Sequence, residues 1–120
     1  MKKGRKITGG KYIKSRKKKL YELPGQKKIV KLDKEKRKTK KTRGGNQKTF
    51  LLRSNLVNIQ IKDRKIKKTV IKNVLETPSN RFLARQNVIT KGTIVETEIG
   101  KVKITNRPSQ EGTINGILVE

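Results

Sequence analysis

Val57-Asn58-Ile59-Gln60-Ile61-Lys62 alternates apolar and polar residues without a break. A period of two marks a half-buried β-strand, because successive side chains of an extended chain leave opposite faces. Asp63-Arg64-Lys65 turns the chain, and residues 66–75 return as a second strand. The return alternates poorly. Ile66, Val70 and Val74 share one face while Ile71 and Leu75 share the other, which fits either a bulge or burial on both faces.

Further short strands flank this pair. Toward the C-terminus, residues 93–99 and 101–105 surround Gly100 as a hairpin, and 112–119 form a closing strand in which Gly116 reads as a bulge or tight bend. Between them, Thr77-Pro78-Ser79-Asn80 opens a short helix with Ser79 or Asn80 as its cap. Arg81 and Arg85, four residues apart, then share a face opposite Phe82. They read either as a solvated face or as contacts to an anion. Toward the N-terminus, residues 48–53 are a strand candidate, and Lys28-Ile29-Val30-Lys31-Leu32 is a shorter one that needs the later domain as partner. Strands this short and this close predict a mainly β fold. The expected form is a small antiparallel barrel of about six strands with one short helix, since closure removes exposed edges. The barrel domain is assigned to residues 24–120, with a basic loop around 33–47. Residues 1–23 are assigned to a long basic N-terminal extension.

Charge sets the class of partner. The 120 residues hold 34 Lys+Arg against 9 Asp+Glu, a formal net charge of +25. A free globule of this size normally avoids such self-repulsion, so a polyanion, most often nucleic acid, is implied. The first 47 residues carry 20 of the cations and 3 of the acids. Cysteine and histidine are absent, which excludes disulfides, thiolate or imidazole metal sites, and Ser/His or Cys/His catalysis. Glu96 and Glu98 read as an outer strand face, and the glycine pairs match no phosphate-loop or dinucleotide fingerprint. Nothing points to an enzyme, a cofactor or a metal. No apolar run approaches the roughly 18 residues of a membrane span, so no membrane partner is expected.

Two basic stretches carry the binding candidates. In the first 19 residues, ten cations surround a Thr8-Gly9-Gly10 bend. Such an arm is either a solvated tail or a segment ordered by an anion threading among its lysines. Tyr12 and Tyr21 either stack on exposed bases or cover apolar surface, the second being favoured for Tyr21 beside Leu20 and Leu23. The other stretch is Lys40-Lys41-Thr42-Arg43-Gly44-Gly45-Asn46-Gln47-Lys48. Its glycines permit positive φ or a close backbone approach, so the stretch reads either as a turn pressing main-chain N–H groups on a phosphate or as a linker.

An ordered series of motifs runs along most of the chain. It comprises Thr8-Gly9-Gly10, Lys19-Leu20-Tyr21-Glu22-Leu23, Thr42-Arg43-Gly44-Gly45-Asn46-Gln47-Lys48, Pro78-Ser79-Asn80-Arg81, residues 85–92 and Thr105-Asn106-Arg107-Pro108-Ser109-Gln110-Glu111-Gly112. The series resembles the archaeal/eukaryotic-type small-subunit ribosomal protein eight family in its short archaeal form. Leu20, where a further basic residue is common, and the preference for lysine over arginine in the tail depart from that pattern. The resemblance implies a small β-barrel in the cytoplasmic ribosome, bound to small-subunit ribosomal RNA beside neighbouring ribosomal proteins. It implies no catalytic activity and no small-molecule substrate. Charge and resemblance together designate Lys2, Lys3, Arg5, Lys6, Gly9, Gly10, Lys11, Lys14, Arg16, Lys17, Lys18 and Lys19 in the arm as RNA-binding. Lys40, Lys41, Arg43, Gly44, Gly45, Asn46 and Lys48 join them from the basic turn, and Arg81 and Arg85 from the helix. Lysines are expected to supply field, and Arg5, Arg16, Arg43, Arg81 and Arg85 to supply geometry. The rival readings are a ribosome-assembly factor sharing the domain and a basic DNA-compacting protein.

Overall fold

The computed structural model describes residues 4–12, 16–61 and 65–119. The expected turn at Asp63-Arg64 lies outside the described residues. Two strands, β1 (Lys36–Lys41) and β2 (Gln47–Arg53), form a separate antiparallel sheet. Five more, β3 (Leu56–Gln60), β4 (Ile66–Glu76), β5 (Ile94–Thr97), β6 (Lys101–Ile104) and β7 (Asn115–Leu118), close into a barrel in sequence order. One short helix, α1 (Arg81–Arg85), lies between β4 and β5. The mainly β class, the barrel and the single short helix are as expected. The barrel has five strands rather than six, because the strand bearing Phe50 belongs to the outer hairpin.

The odd strand number dictates how the barrel closes. Five strands joined up-and-down leave the first and last running the same way, so their seam must be parallel. Asn58 pairs with Asn115, Ile59 with Gly116 and Gln60 with Ile117 in a parallel ladder, whereas the other four barrel pairs are antiparallel. Gly116 sits in this regular ladder, not in a bulge or bend. A Cβ added there would stand 2.4 Å from Val102 Cγ1 and 3.0 Å from the Lys103 carbonyl oxygen. The position needs smallness, because the narrow barrel packs β6 closely against β7 there.

The poor alternation of β4 has a physical cause. Its register against β5 slips between Ile71 and Asn73 and again between Val74 and Glu76. Each bulge inserts one residue and reverses which parity faces inward. Thr69, Ile71 and Val74 are therefore buried along β4, followed by Thr77, while Ile66, Val70 and Leu75 face out. The core so formed contains Val57 and Ile59 from β3, Ile71 and Val74 from β4, Val95 from β5, Val102 and Ile104 from β6, and Ile114. Two of its polar members are orphans: the hydroxyls of Thr69 and Thr77 are buried without a hydrogen-bond partner.

Residues 28–32 form no regular strand. The segment is extended and bridged on both sides, with Lys31 opposite Arg53 and Val88. The Lys31 N–H donates to Leu52 O at 3.2 Å, the Leu32 N–H to Asn87 O at 2.9 Å, and the Ile89 N–H to Val30 O at 2.8 Å. Val30 and Leu51 join the barrel core, so this stitch fastens the hairpin base to the barrel. Val30 is also the first buried residue; every described residue before it is exposed. The Cα radius of gyration is 20.7 Å, against about 14 Å for a compact chain of this length. Among the described residues, no helix is long and apolar enough to cross a membrane.

Candidate nucleic-acid interface

The stretch from Asp33 to Lys41, read from sequence as part of a basic loop, is largely strand. Lys36–Lys41 pairs along its whole length with β2 while remaining exposed throughout. Six cross-strand pairs make a ribbon of about 20 Å at 3.4 Å per residue. Its tip is Thr42 to Asn46. The Thr42 N–H and Thr42 Oγ1 both donate to Asn46 O, at 2.7 and 2.9 Å, closing the turn. Gly44 and Gly45 both have φ of 81°, a region that L side chains enter only with strain. Added Cβ atoms at either would meet open space or, at 3.9 Å, the Asn46 amide. The glycines therefore serve a hairpin turn and are not a linker, and the surface around them is free.

Register assigns the lysines to faces. Lys40 lies directly opposite Lys48, and Lys38 opposite Phe50, on one face; Lys41, Thr39 and Arg37 lie opposite Gln47, Thr49 and Leu51 on the other. Like charges directly opposed destabilise a ribbon. Thr39 and Thr49 meet hydroxyl to hydroxyl at 3.2 Å, one of the few neutral contacts across it. Phe50 is only 4% exposed, and Lys28 Nζ sits 3.4 Å from its ring centroid.

Acids are spent on arginines. Arg16 forms a two-pronged pair with Glu22, at 2.9 Å from Nη1 to Oε2 and 2.5 Å from Nη2 to Oε1. Arg37 pairs with Glu35, and Arg53 Nη1 with Asp33 Oδ2 at 2.5 Å. The Arg16 bond, helped by the Lys19 N–H, holds the Glu22 carboxyl below its ordinary range. The Lys34 N–H, then Arg53, does the same to Asp33. Among the described residues every ion pair uses arginine and none uses lysine. The lysines, together with arginines outside these three pairs such as Arg43, Arg81 and Arg85, thus carry the uncompensated charge, and Arg16, expected to supply geometry to a partner, already supplies it to Glu22.

The remaining sequence candidates are dispersed. Lys2, Lys3 and Lys14 lie outside the described residues. Arg5 bridges Lys11 across a turn closed by Lys6 N–H to Gly10 O at 2.8 Å and Gly9 N–H to Lys6 O at 2.9 Å, so the Thr8-Gly9-Gly10 bend is a small hairpin. Lys17, Lys18 and Lys19 are exposed, with Lys19 Nζ 6.0 Å from the Tyr21 ring. Tyr21 is 76% exposed and covers no core, contrary to its expected role. At the helix, Asn80 is the cap: its Oδ1 accepts from the Phe82 N–H at 3.0 Å. Arg81 and Arg85 are exposed as expected, but Phe82 is 63% exposed too, because Ala84 and not Phe82 packs on the core. The exposed phenyl ring of Phe82, together with Lys28 and Lys38, was missed in the sequence. The alternation of Lys36, Lys38 and Lys40 is the one signal there that marks a ribbon face. Glu96 and Glu98 are exposed on the outer surface of the β5 hairpin.

A small closed barrel presenting uncompensated lysines on a projecting hairpin defines the class: a basic β-barrel protein. Within that class the chain belongs to the ribosomal protein S8e family, which matches residues 1–119. Archaeal relatives named small ribosomal subunit protein eS8 agree along nearly their whole length. That of Staphylothermus marinus is 50% identical over 118 residues, 97% of this chain and 92% of the relative. The Nanoarchaeum equitans protein is 44% identical over 117 residues, again 97% and 92%. The Methanosarcina barkeri protein is 38% identical over 117 residues, 97% and 94%.

Proposed function

We propose that this protein is a structural constituent of the small ribosomal subunit that binds and stabilises folded small-subunit ribosomal RNA, and so supports translation in the cytoplasmic ribosome. The observation that carries the reading is Lys40 opposed to Lys48 on an exposed ribbon whose neighbourhood has spent its acids on arginine. Phosphates along an RNA backbone turn that repulsion into attraction. Membership of the family supports the same reading. Residues 24–120 act as the barrel domain. Residues 1–23 act as a basic extension that neutralises phosphates between RNA helices, through Arg5, Lys6, Lys11 and Lys17 to Lys19 with Lys2, Lys3 and Lys14. The hairpin tip, from Lys40 to Lys48, reaches between helices, and Arg81 and Arg85 supply planar contacts. Neighbouring ribosomal proteins complete the surroundings. No catalytic step and no cofactor is assigned. Mass spectrometry of salt-washed small subunits tests this: the protein is expected at one copy per subunit, and its presence only in precursor particles would contradict a structural role.

A further inference from the structure

We propose that the cleft between the Lys48 end of β2 and the loop at residues 107–111 is a subsite for one backbone phosphodiester of RNA, a proposal that rests on the RNA-binding reading above. The cleft holds about 370 Å³ and is lined by Gln26, Lys28, Lys48, Ser109 and Gln110. Its size suits a small ligand group, and its lining has two ammonium groups, three neutral polar side chains and no carboxylate.

Three features show it to be built. Lys28 is held over the Phe50 ring at 3.4 Å, so its ammonium is positioned before any ligand arrives. Lys48 lies two residues before Phe50 on the same side of β2, and Lys40 faces it across the ribbon, so the cations converge on one edge. The loop supplying Ser109 and Gln110 is fixed to the same strand. The Leu51 N–H donates to Pro108 O at 3.1 Å and to Glu111 O at 3.3 Å, while the Gln110 N–H closes on Arg107 O at 3.0 Å. Glu111, the nearest acid in sequence, is turned to the Asn106 amide, which donates to its Oε2 at 2.7 Å. The result is a cradle of two point charges and neutral polar groups on an anchored loop and strand, which suits an anion of single charge with two free oxygens. Lys40 continues the track toward the hairpin tip, which favours a strand backbone over a lone ion.

The test uses the full chain and transcribed small-subunit ribosomal RNA in filter binding across a salt series, with Lys28→Gln, Lys48→Gln, the pair Ser109→Ala/Gln110→Ala, and Lys103→Gln as an equal charge change on exposed β6. Circular dichroism melts matching wild type establish folding. Lys28→Gln and Lys48→Gln are each expected to weaken binding about tenfold and to lower the salt slope by about 0.7 to 0.9. The uncharged pair is expected to weaken binding about threefold with the slope unchanged. Lys103→Gln is expected to do less than either lysine change. Inorganic phosphate titrated into wild type should give no saturable shift of the Gln110 amide resonance; saturation at concentrations matching the transcript would make this a free-anion site and overturn the proposal. If wild type binds but Lys28→Gln and Lys48→Gln equal Lys103→Gln, the subsite alone is refuted. If wild type shows no salt-dependent binding, the functional reading fails and the subsite falls with it.

Discussion

Gly116→Ala tests how closely β7 packs on β6 in the barrel. The added methyl would sit 2.4 Å from Val102 Cγ1 and 3.0 Å from the Lys103 carbonyl oxygen. Val102 is fully buried and β-branched, so its χ1 is stiff and its neighbours leave it little room to retreat. The oxygen belongs to β6, within the β6–β7 ladder, and moves only with that strand. Overpacking of this kind costs about 1–3 kcal/mol. Lower chain entropy in the unfolded state returns about 0.4–1 kcal/mol of that, leaving roughly 1–2 kcal/mol. For a domain of this size that lowers Tm by about 4–16 °C. Thermal melts of the single variants and of Val102→Ala/Gly116→Ala form a double-mutant cycle. Removing Cγ1 relieves the shorter contact and leaves the carbonyl one, so the double variant should be less destabilised than the sum of the singles by about 1 kcal/mol. A Gly116→Ala protein melting at or above wild type, or strict additivity in the cycle, would refute the close packing of β7 on β6 at this residue.

Other variants separate turn, surface and core. Gly45→Val should weaken RNA binding sharply while leaving the barrel's Tm nearly unchanged, because φ of 81° confines the strain to the hairpin tip; a large fall in Tm would mean that the tip supports the barrel. Arg43→Lys should also weaken binding despite keeping its charge, and unchanged affinity would remove Arg43 as a geometric contact. Phe82→Ala should cost little stability, since the ring is exposed, yet reduce RNA affinity about fivefold or more if the ring stacks on a base; equal affinity in filter binding would make the ring a bystander. Thr69→Val removes a buried hydroxyl that has no partner and should stabilise by about 1–2 kcal/mol, read as a higher urea midpoint; destabilisation would show that the hydroxyl is satisfied.

The sequence exposed the barrel where apolar periodicity was strong and hid it where other forces decide. The alternation of Val57, Ile59 and Ile61 was sufficient to place β3. The two bulges in β4 scramble parity, so its faces could be assigned only once its register against β5 was known. In β1 there is no apolar residue at all, and burial gives no signal for a strand that is exposed along its length. That strand exists because β2 offers it a ladder and Gly44-Gly45 a turn. The role of Gly116 depends on which residues of β6 lie beside it, a fact of topology that no local pattern contains. At the surface, charge located the hairpin, but acids as near as Glu22 to Arg16 silently changed which cations remain unpaired. Lys28 is held beside the ribbon by a ring 22 positions away.

The central claim is that phosphate neutralisation by this basic surface drives binding, and the salt dependence of RNA affinity tests it most directly. With about ten phosphates neutralised, log affinity for small-subunit ribosomal RNA should fall linearly with log salt at a slope of about −7 to −9. A nearly flat titration, with affinity retained at high salt, would contradict the account and assign binding to base or apolar contacts instead.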